Sequence, residues 1–267
     1  MSIFFAGNEL RQRKGIFYPD LDSDFLAWYN LVIAAGSSIS AQNIVTLNKF
    51  FRDLKSNNLW SSITQANILC GVNDLVGVLI PIKGATPVNN GFVSGDYSVT
   101  TGLNSGATNT KWLDTTILES SFSSNPDSVG RHFFIAGSSY VAPIVANKYL
   151  IGSSSTGGSR IYAPSIGLLN ISGQLNVGTT IPMGTISILS NRIGISRQSG
   201  ILNRYINGTL NSASNAIGTI TTTNTIGVFA APGQSRVNMR MQFYSFGYFA
   251  NLTTLDSVVS AMISAIV

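Results

Sequence analysis

Two spacings of apolar residues divide the chain. Up to about residue 70 they recur every three or four positions, the period of a helix with one buried face. In DSDFLAWYNLVIAAG, Phe25, Trp28, Val32 and Ala35 share a face, Asp22 and Ser23 are capping candidates, and Gly36 is a stop signal. SAQNIVTLNKFFRDLKSNN repeats the pattern. Ser40 is the cap, Ile44, Leu47, Phe51 and Leu54 form the stripe, and Lys49, Arg52, Asp53 and Lys55 face water. A shorter helix is predicted from Trp60 to Leu69, ending at Gly71.

From about residue 75 the texture changes to short runs rich in Ile, Val, Phe and Tyr, separated by Gly, Ser, Asn or Pro. LVGVLIPI, RHFFIAG, SRIYAP, TISILS, RIGISR, LNRYINGTL, TIGVFA and NMRMQFYSFGYF each read as a strand. Asn207-Gly208 inside RYINGTL predicts a two-residue type I′ hairpin. Many short strands without helical crossovers indicate an antiparallel sandwich. TTLDSVVSAMISAIV then closes the chain as a helix with a wide apolar face and a capping-box pattern from Thr253 to Asp256. The predicted organisation is an arm over 1–21, a helical region over 22–71, and a sandwich with its C-terminal helix over 72–267. A terminal helix this apolar must dock on its own domain or on a neighbouring subunit.

Composition narrows the class. Only 10% of residues are charged, against roughly 25% in typical soluble proteins, so Ser, Thr, Asn and Gly must cover the surface. That suits an extracellular or assembled β-rich protein better than a metabolic enzyme. The charge is also uneven: residues 1–127 hold ten acids and eight Lys/Arg, a net of −2, and residues 128–267 hold one acid and eight Lys/Arg, a net of +7. The basic residues of the second half are scattered singly, so no nucleic-acid partner is expected. MSIFFAGNELRQRKG lacks the order of a signal peptide, and no apolar run approaches the ~18 residues of a membrane span. The expected product is made in the cytosol and stays soluble until it assembles.

Catalytic chemistry finds little material. The single cysteine, Cys70, forms no intrachain disulfide, and a nucleophilic role would need the single histidine, His132. The acids after residue 75 are isolated in sequence (Asp96, Asp114, Glu119, Asp127, Asp256), and no strand carries the carboxylate pair of a glycosidase. Nothing like G-x-S-x-G surrounds a serine. GSSSTGGS is not followed by Lys and a helix, so it is a loop and not a phosphate cradle. No catalytic residue and no cofactor is expected. Asp96 and Asp114 are the only calcium candidates, with loop carbonyls completing an oxygen shell.

Recognition fits better. In FVSGDYSVTTGLNSGATNTKWLD, Tyr97 and Trp112 offer rings for stacking on a sugar, and Asn104, Asn109 and Asp114 offer groups that grip hydroxyls. The competing reading places both aromatics in the sandwich core.

The same region carries a resemblance. GVNDLVGVLIPIKGATPVNNGFVSGDYSVTTGLNSGATNTKWLDT resembles a segment shared by many tailed-bacteriophage structural proteins, through Gly77, Pro81, Gly84, Asp96, Tyr97, Leu103, Lys111 and Asp114. It departs from them at Trp112, where Tyr is common, and at Val78 and Ile80. Downstream, RYINGTL, IGVFAAPG and MRMQFYSFGYF are similar to concanavalin A-like (laminin G-like) jelly rolls. The resemblance implies a non-enzymatic virion protein of the tail fibre, tail tip or baseplate, homo-oligomeric and most simply trimeric. It would contact other virion proteins and a host-surface glycan. A capsid decoration protein and a stand-alone carbohydrate-binding module are the alternatives.

Overall fold

The computed structural model describes residues 21–106, 110–121, 130–141, 147–154, 158–164, 170–175, 180–186, 189–214, 224–230 and 237–267. The arm, apart from Leu21, lies outside them.

Both N-terminal helices form where the apolar period places them. Helix α1 (Ser23–Ala34) starts at Asp22, whose carboxylate accepts from Asp24 N and Phe25 N. Helix α2 (Ala41–Ser56) starts at Ser40, whose hydroxyl accepts from Asn43 N. Trp60–Ser62 is a single 3₁₀ turn. The predicted third helix is instead a strand, β1 (Ile63–Ile68). Residues 75–82 correct a second expectation. They open with one short helix, α3 (Leu75–Val78), and not a strand. Asp74 caps Gly77 N, while Asn67 and Trp28 side chains take the carbonyls of Val78, Leu79 and Ile80. Side chains therefore satisfy the backbone that a neighbouring strand would otherwise pair. Gly77 is obligatory there, since a Cβ would sit 2.4 Å from both Ser37 Oγ and Val72 Cγ1.

The remaining elements are β2 (Val88–Asn90), β3 (Tyr97–Ser98), β4 (Gly102–Asn104), β5 (Trp112–Leu118), β6 (Arg131–Val141), β7 (Lys148–Gly152), β8 (Arg160–Ala163), β9 (Asn170–Gln174), β10 (Ile181–Thr185), β11 (Ser190–Gln198), β12 (Ile201–Ile206), β13 (Thr209–Ser214), β14 (Thr225–Val228), β15 (Asn238–Gly247) and helix α4 (Leu252–Ala265). They build two antiparallel sheets. Sheet A runs β13-β12-β11-β6-β15-β4-β3, with β1 also on β15; sheet B runs β10-β9-β8-β7-β14-β5-β2. The chain is thus mainly β, a jelly-roll-type sandwich preceded by helices and closed by one. Asn207 (φ 47°) and Gly208 (φ 92°) make the expected type I′ turn between β12 and β13. TISILS is not one strand among the described residues: Thr185 ends β10, Ser190 begins β11, Ile186 and Leu189 lie in neither, and 187–188 lie outside the described residues. GSSSTGGS lies partly outside the described residues.

The layers follow from which way side chains point. On β11, a Cβ at Gly194 would lie 3.0 Å from Leu252 Cδ2 of α4, while the next residue, Ile195, reaches to within 2.7 Å of a Cβ on Gly173 of β9. Sheet A is therefore sandwiched between the helices and sheet B. Phe50 of α2 meets Phe243 of β15 edge-on at 5.7 Å. Asn43 of α2 bonds the carbonyls of Gly71 and Val267 and accepts from Val267 N, tying the C-terminus to α2. The α4 cap is Asn251, not the predicted box. Asp256 turns to sheet A and accepts from Tyr205 Oη at 2.6 Å and Ser260 Oγ at 3.1 Å, with Arg192 Nε at 2.5 Å.

Candidate functional site

The helices cover one side of the sandwich, which leaves the outer face of sheet B as the face no described helix covers. One row of register partners crosses it: Asp114 (β5), Gly227 (β14), Gly152 (β7), Arg160 (β8) and Gln174 (β9). Inward neighbours Leu113, Ile161 and Val228 are wholly buried, so the row points away from sheet A; Asp114 and Arg160 in it are partly exposed and Gln174 at its end is buried. With strands ~4.8 Å apart, Asp114 and Arg160 stand ~14 Å apart across a floor of two glycines. A Cβ at Gly152 (φ 137°) would come within 2.4 Å of Ser159 O, so only glycine keeps that floor.

Arg160 is the centre of the site. Its guanidinium lies 5.5 Å from the Tyr149 ring and 5.1 Å from the Tyr162 ring. The two rings stack at 5.6 Å and 24°, separate from the main hydrophobic core. Arg160 Nη1 donates to Tyr149 Oη at 2.9 Å, and Tyr162 Oη is 3.0 Å from Thr180 Oγ1. Arg160 Nε is buried without a hydrogen-bond partner among the described residues. The arginine is held as a planar donor on a rigid aromatic bed.

At the other end of the row, β5 carries a bulge. Between its Asp114–Gly227 and Leu118–Thr225 pairs, β5 advances four residues while β14 advances two. Inside it Thr116, a β-branched residue, adopts φ 60°, and Asp114 Oδ1 accepts from Thr116 N at 2.8 Å to hold it there. The carboxylate keeps its Oδ2 for a further contact and is half-buried.

The sequence candidates separate. Trp112 and Asp114 lie on sheet B, Tyr97 and Asn104 on the edge of sheet A, and Asn109 outside the described residues. Tyr97 is half-buried, its hydroxyl donates to Val72 O, and burial pushes that hydroxyl well above the ordinary range. Trp112 is partly buried against the core. Asn104 Oδ1 accepts from Gly106 N. Asp96 pairs with Lys111 and accepts from Val93 N. Among the described residues no three potential ligand side chains cluster as a metal site would require.

Arg160, Tyr149 and Tyr162 were not singled out in the sequence. Tyr149 sits in NKYLIG, a run not read as a strand, and Tyr162 in SRIYAP, whose alternation marks it as facing away from Ile161. Their pairing across two strands is visible only in register.

The nucleophile chemistry considered for Cys70 and His132 does not assemble. Burial pushes the Cys70 thiol up to about 12, and its nearest partner is Gln242 O at 3.6 Å. His132 Nδ1 donates to Tyr248 O at 2.5 Å, and Ser245 Oγ is 3.1 Å from Nε2. Desolvation holds that imidazole down at about 4, raised only in part by the Tyr248 carbonyl. Glu119 is wholly buried, accepts from Ser159 N, and lies 3.9 Å from Arg131 on β6, linking the sheets. The described carboxylates Asp96, Asp114, Glu119 and Asp256 thus each serve a separate local structure.

No family model matches the sequence, and no curated protein sequence matches it. Solved structures do share its fold. Trypanosoma rangeli sialidase in complex with a difluorinated nonulosonic acid superposes with a TM-score of 0.52 at 8% identity over 82% of this chain and 40% of its own. A T. rangeli sialidase mutant displaying trans-sialidase activity gives 0.50 at 10% identity, over 81% and 39%. The binding domain of botulinum neurotoxin serotype D gives 0.52 at 11% identity, over 78% and 52%. The chain therefore spans about two fifths to one half of these proteins. At such identity the likeness establishes the β-sandwich fold alone.

Proposed function

We propose that this chain is a non-enzymatic component of a tailed-phage virion, of the tail-fibre, tail-tip or baseplate type, that recognises an acidic glycan on the host surface through the outer face of sheet B. The virion assignment rests on the resemblance of residues 71–115. The recognition reading is carried by one observation: Arg160 laid over the Tyr149–Tyr162 stack, facing Asp114 across a glycine floor. A planar guanidinium suits the carboxylate of an acidic sugar, and the opposite Asp114 suits sugar hydroxyls. Carboxylates engaged separately support binding without hydrolysis.

The test is a glycan array probed with the whole chain, followed by calorimetry on each ligand found. Acidic glycans should bind, and Arg160→Gln should weaken them about ten- to a hundredfold, the worth of a charge-assisted hydrogen bond. Binding abolished by Tyr97→Phe or Asn104→Ala, with Arg160→Gln unaffected, would move the site to the opening loops. Antibody labelling of phage particles addresses the virion assignment separately. Glycan binding without labelled particles is the outcome a stand-alone carbohydrate-binding module gives.

A further inference from the structure

Among the described residues the two sheets end on five edge strands, and four are covered or blunted. β1 is bridged at Ala66 by Lys83, whose carbonyl accepts from Ala66 N. β3 has two residues and β2 has three. β10 carries Pro182 and a register break between Pro182 and Gly184. β13 is different: six residues, TLNSAS, without charge or proline, in unbroken register with β12 and exposed at every position but Ala213. Among the described residues it pairs with β12 alone.

Hairpin geometry says which backbone groups remain. A two-residue type I′ turn closes on a pair that exchanges both hydrogen bonds, here Ile206 and Thr209. Thr209, Asn211 and Ala213 therefore turn their N–H and C=O groups to β12. Those of Leu210, Ser212 and Ser214 point outward. Beside them Leu210 is 47% exposed and Ile201, the partner of Ser214, is 40% exposed. Both lie on the helix side of sheet A, in the face that holds Tyr205 against Asp256.

We propose that β13 is a homotypic docking edge, pairing antiparallel with β13 of a second copy about a two-fold axis perpendicular to the sheet. An axis through Ser212 sets Ser212 opposite Ser212 and Leu210 opposite Ser214. Every outward N–H then faces an outward C=O, and equivalent residues keep the same face. A second copy fits because the strand has no charge to select a charged partner and none to repel itself. Its small side chains at 212, 213 and 214 allow close approach. The result joins two copies of sheet A into one continuous sheet and leaves sheet B of each copy clear.

The experiment is sedimentation velocity of the full chain across a micromolar dilution series, with Ser212→Pro and Leu210→Lys as variants. Proline at 212 removes only an outward N–H and leaves the bonds to β12 in place. The expected result is a reversible species of twice the chain mass, reduced to one chain mass by either variant, both melting like the parent. Hydrogen exchange reads the same point without substitutions: amides of Leu210, Ser212 and Ser214 should gain protection as concentration rises, in step with the mass. One chain mass throughout, a trimer, or a dimer that both folded variants preserve would overturn the proposal. So would unchanged exchange at those three amides.

Discussion

Sheet A and sheet B have nearly the same number of strands and opposite surroundings. Sheet A is packed on both faces, by helices on one side and sheet B on the other. Phe133, Phe134, Ile135 and Ala136 on β6 are all buried in succession, as are Phe243, Tyr244 and Phe246 on β15. Sheet B has no described helix on its outer side, where Asp114 and Arg160 are partly exposed while Tyr149, Tyr162 and Gln174 are buried. The difference separates tasks: the sheet packed between the helices and the other sheet carries the larger core, and the sheet without a helical cover presents Asp114 and Arg160 for a surface chemistry.

The most direct test is to truncate one apolar side chain to alanine in each sheet. Phe243→Ala takes a ring from between Phe50 (5.7 Å) and Phe134 (6.4 Å) with no solvent to fill the space. It should cost about 3–5 kcal/mol, measured by urea unfolding. Val88→Ala, on the outer face of sheet B and 51% exposed, should stay within about 0.5 kcal/mol. Equal losses would mean that the sheets share the load.

The same asymmetry explains what the sequence could tell. RHFFIAG and NMRMQFYSFGYF were legible because strands buried on both faces are nearly continuous apolar runs. KWLDTT, NISGQ and IPMGT belong to sheet B or its rim, and their polar residues and glycines read as turn chemistry; KYLIG is buried along its length but is too short to stand out from the Gly- and Ser-rich stretch after it. LVGVLIPI failed in the opposite direction: an apolar run of that length fits either a strand or a buried turn of helix. ITQANI has too few apolar residues to announce a strand, and β1 exists because β15 is there to pair with it. Of the candidate site, Asp114 was legible as an acid in a turn-rich stretch. Arg160 over two tyrosines was not, because that contact depends on the register of β7 against β8.

Acid should strain sheet A in a defined window. His132 is neutral in the interior, held near 4 by burial against an ordinary value of 6.5. Below pH 6.5 the unfolded chain takes up a proton that the folded chain refuses until about pH 4. Stability is therefore lost as pH falls through that interval and levels off beneath it. The shift corresponds to about 3 kcal/mol at most. Urea midpoints from pH 7 to pH 4 should fall more steeply for the parent than for His132→Asn, whose side chain does not titrate. Parallel slopes would place the acid sensitivity elsewhere.

A smaller effect is expected where α4 meets sheet A. Asp256→Ala leaves Tyr205 Oη and Arg192 without their acceptor at the helix–sheet contact. Arg192 is partly exposed, and water can reach its guanidinium, so the cost should be about 1–3 kcal/mol. Denaturant unfolding followed by tyrosine fluorescence measures it. Asp256→Asn, which retains an acceptor for Tyr205, should recover part of the loss.

The smallest effect on stability should come from the residue with the largest expected effect on binding. Arg160 is half-buried, stacks on a tyrosine pair outside the main core, and carries a buried Nε with no acceptor among the described residues. Its cation–π contacts and the bond to Tyr149 stabilise the fold, while burial of that Nε works against it. Arg160→Gln should therefore shift unfolding by no more than about 1 kcal/mol. Measured beside the Phe243→Ala loss, that near-neutrality would mark sheet B's outer face as a surface kept for a ligand. A loss of the same size as Phe243→Ala would instead make Arg160 a strut of the fold, and the reading of that face as a glycan site would fall with it.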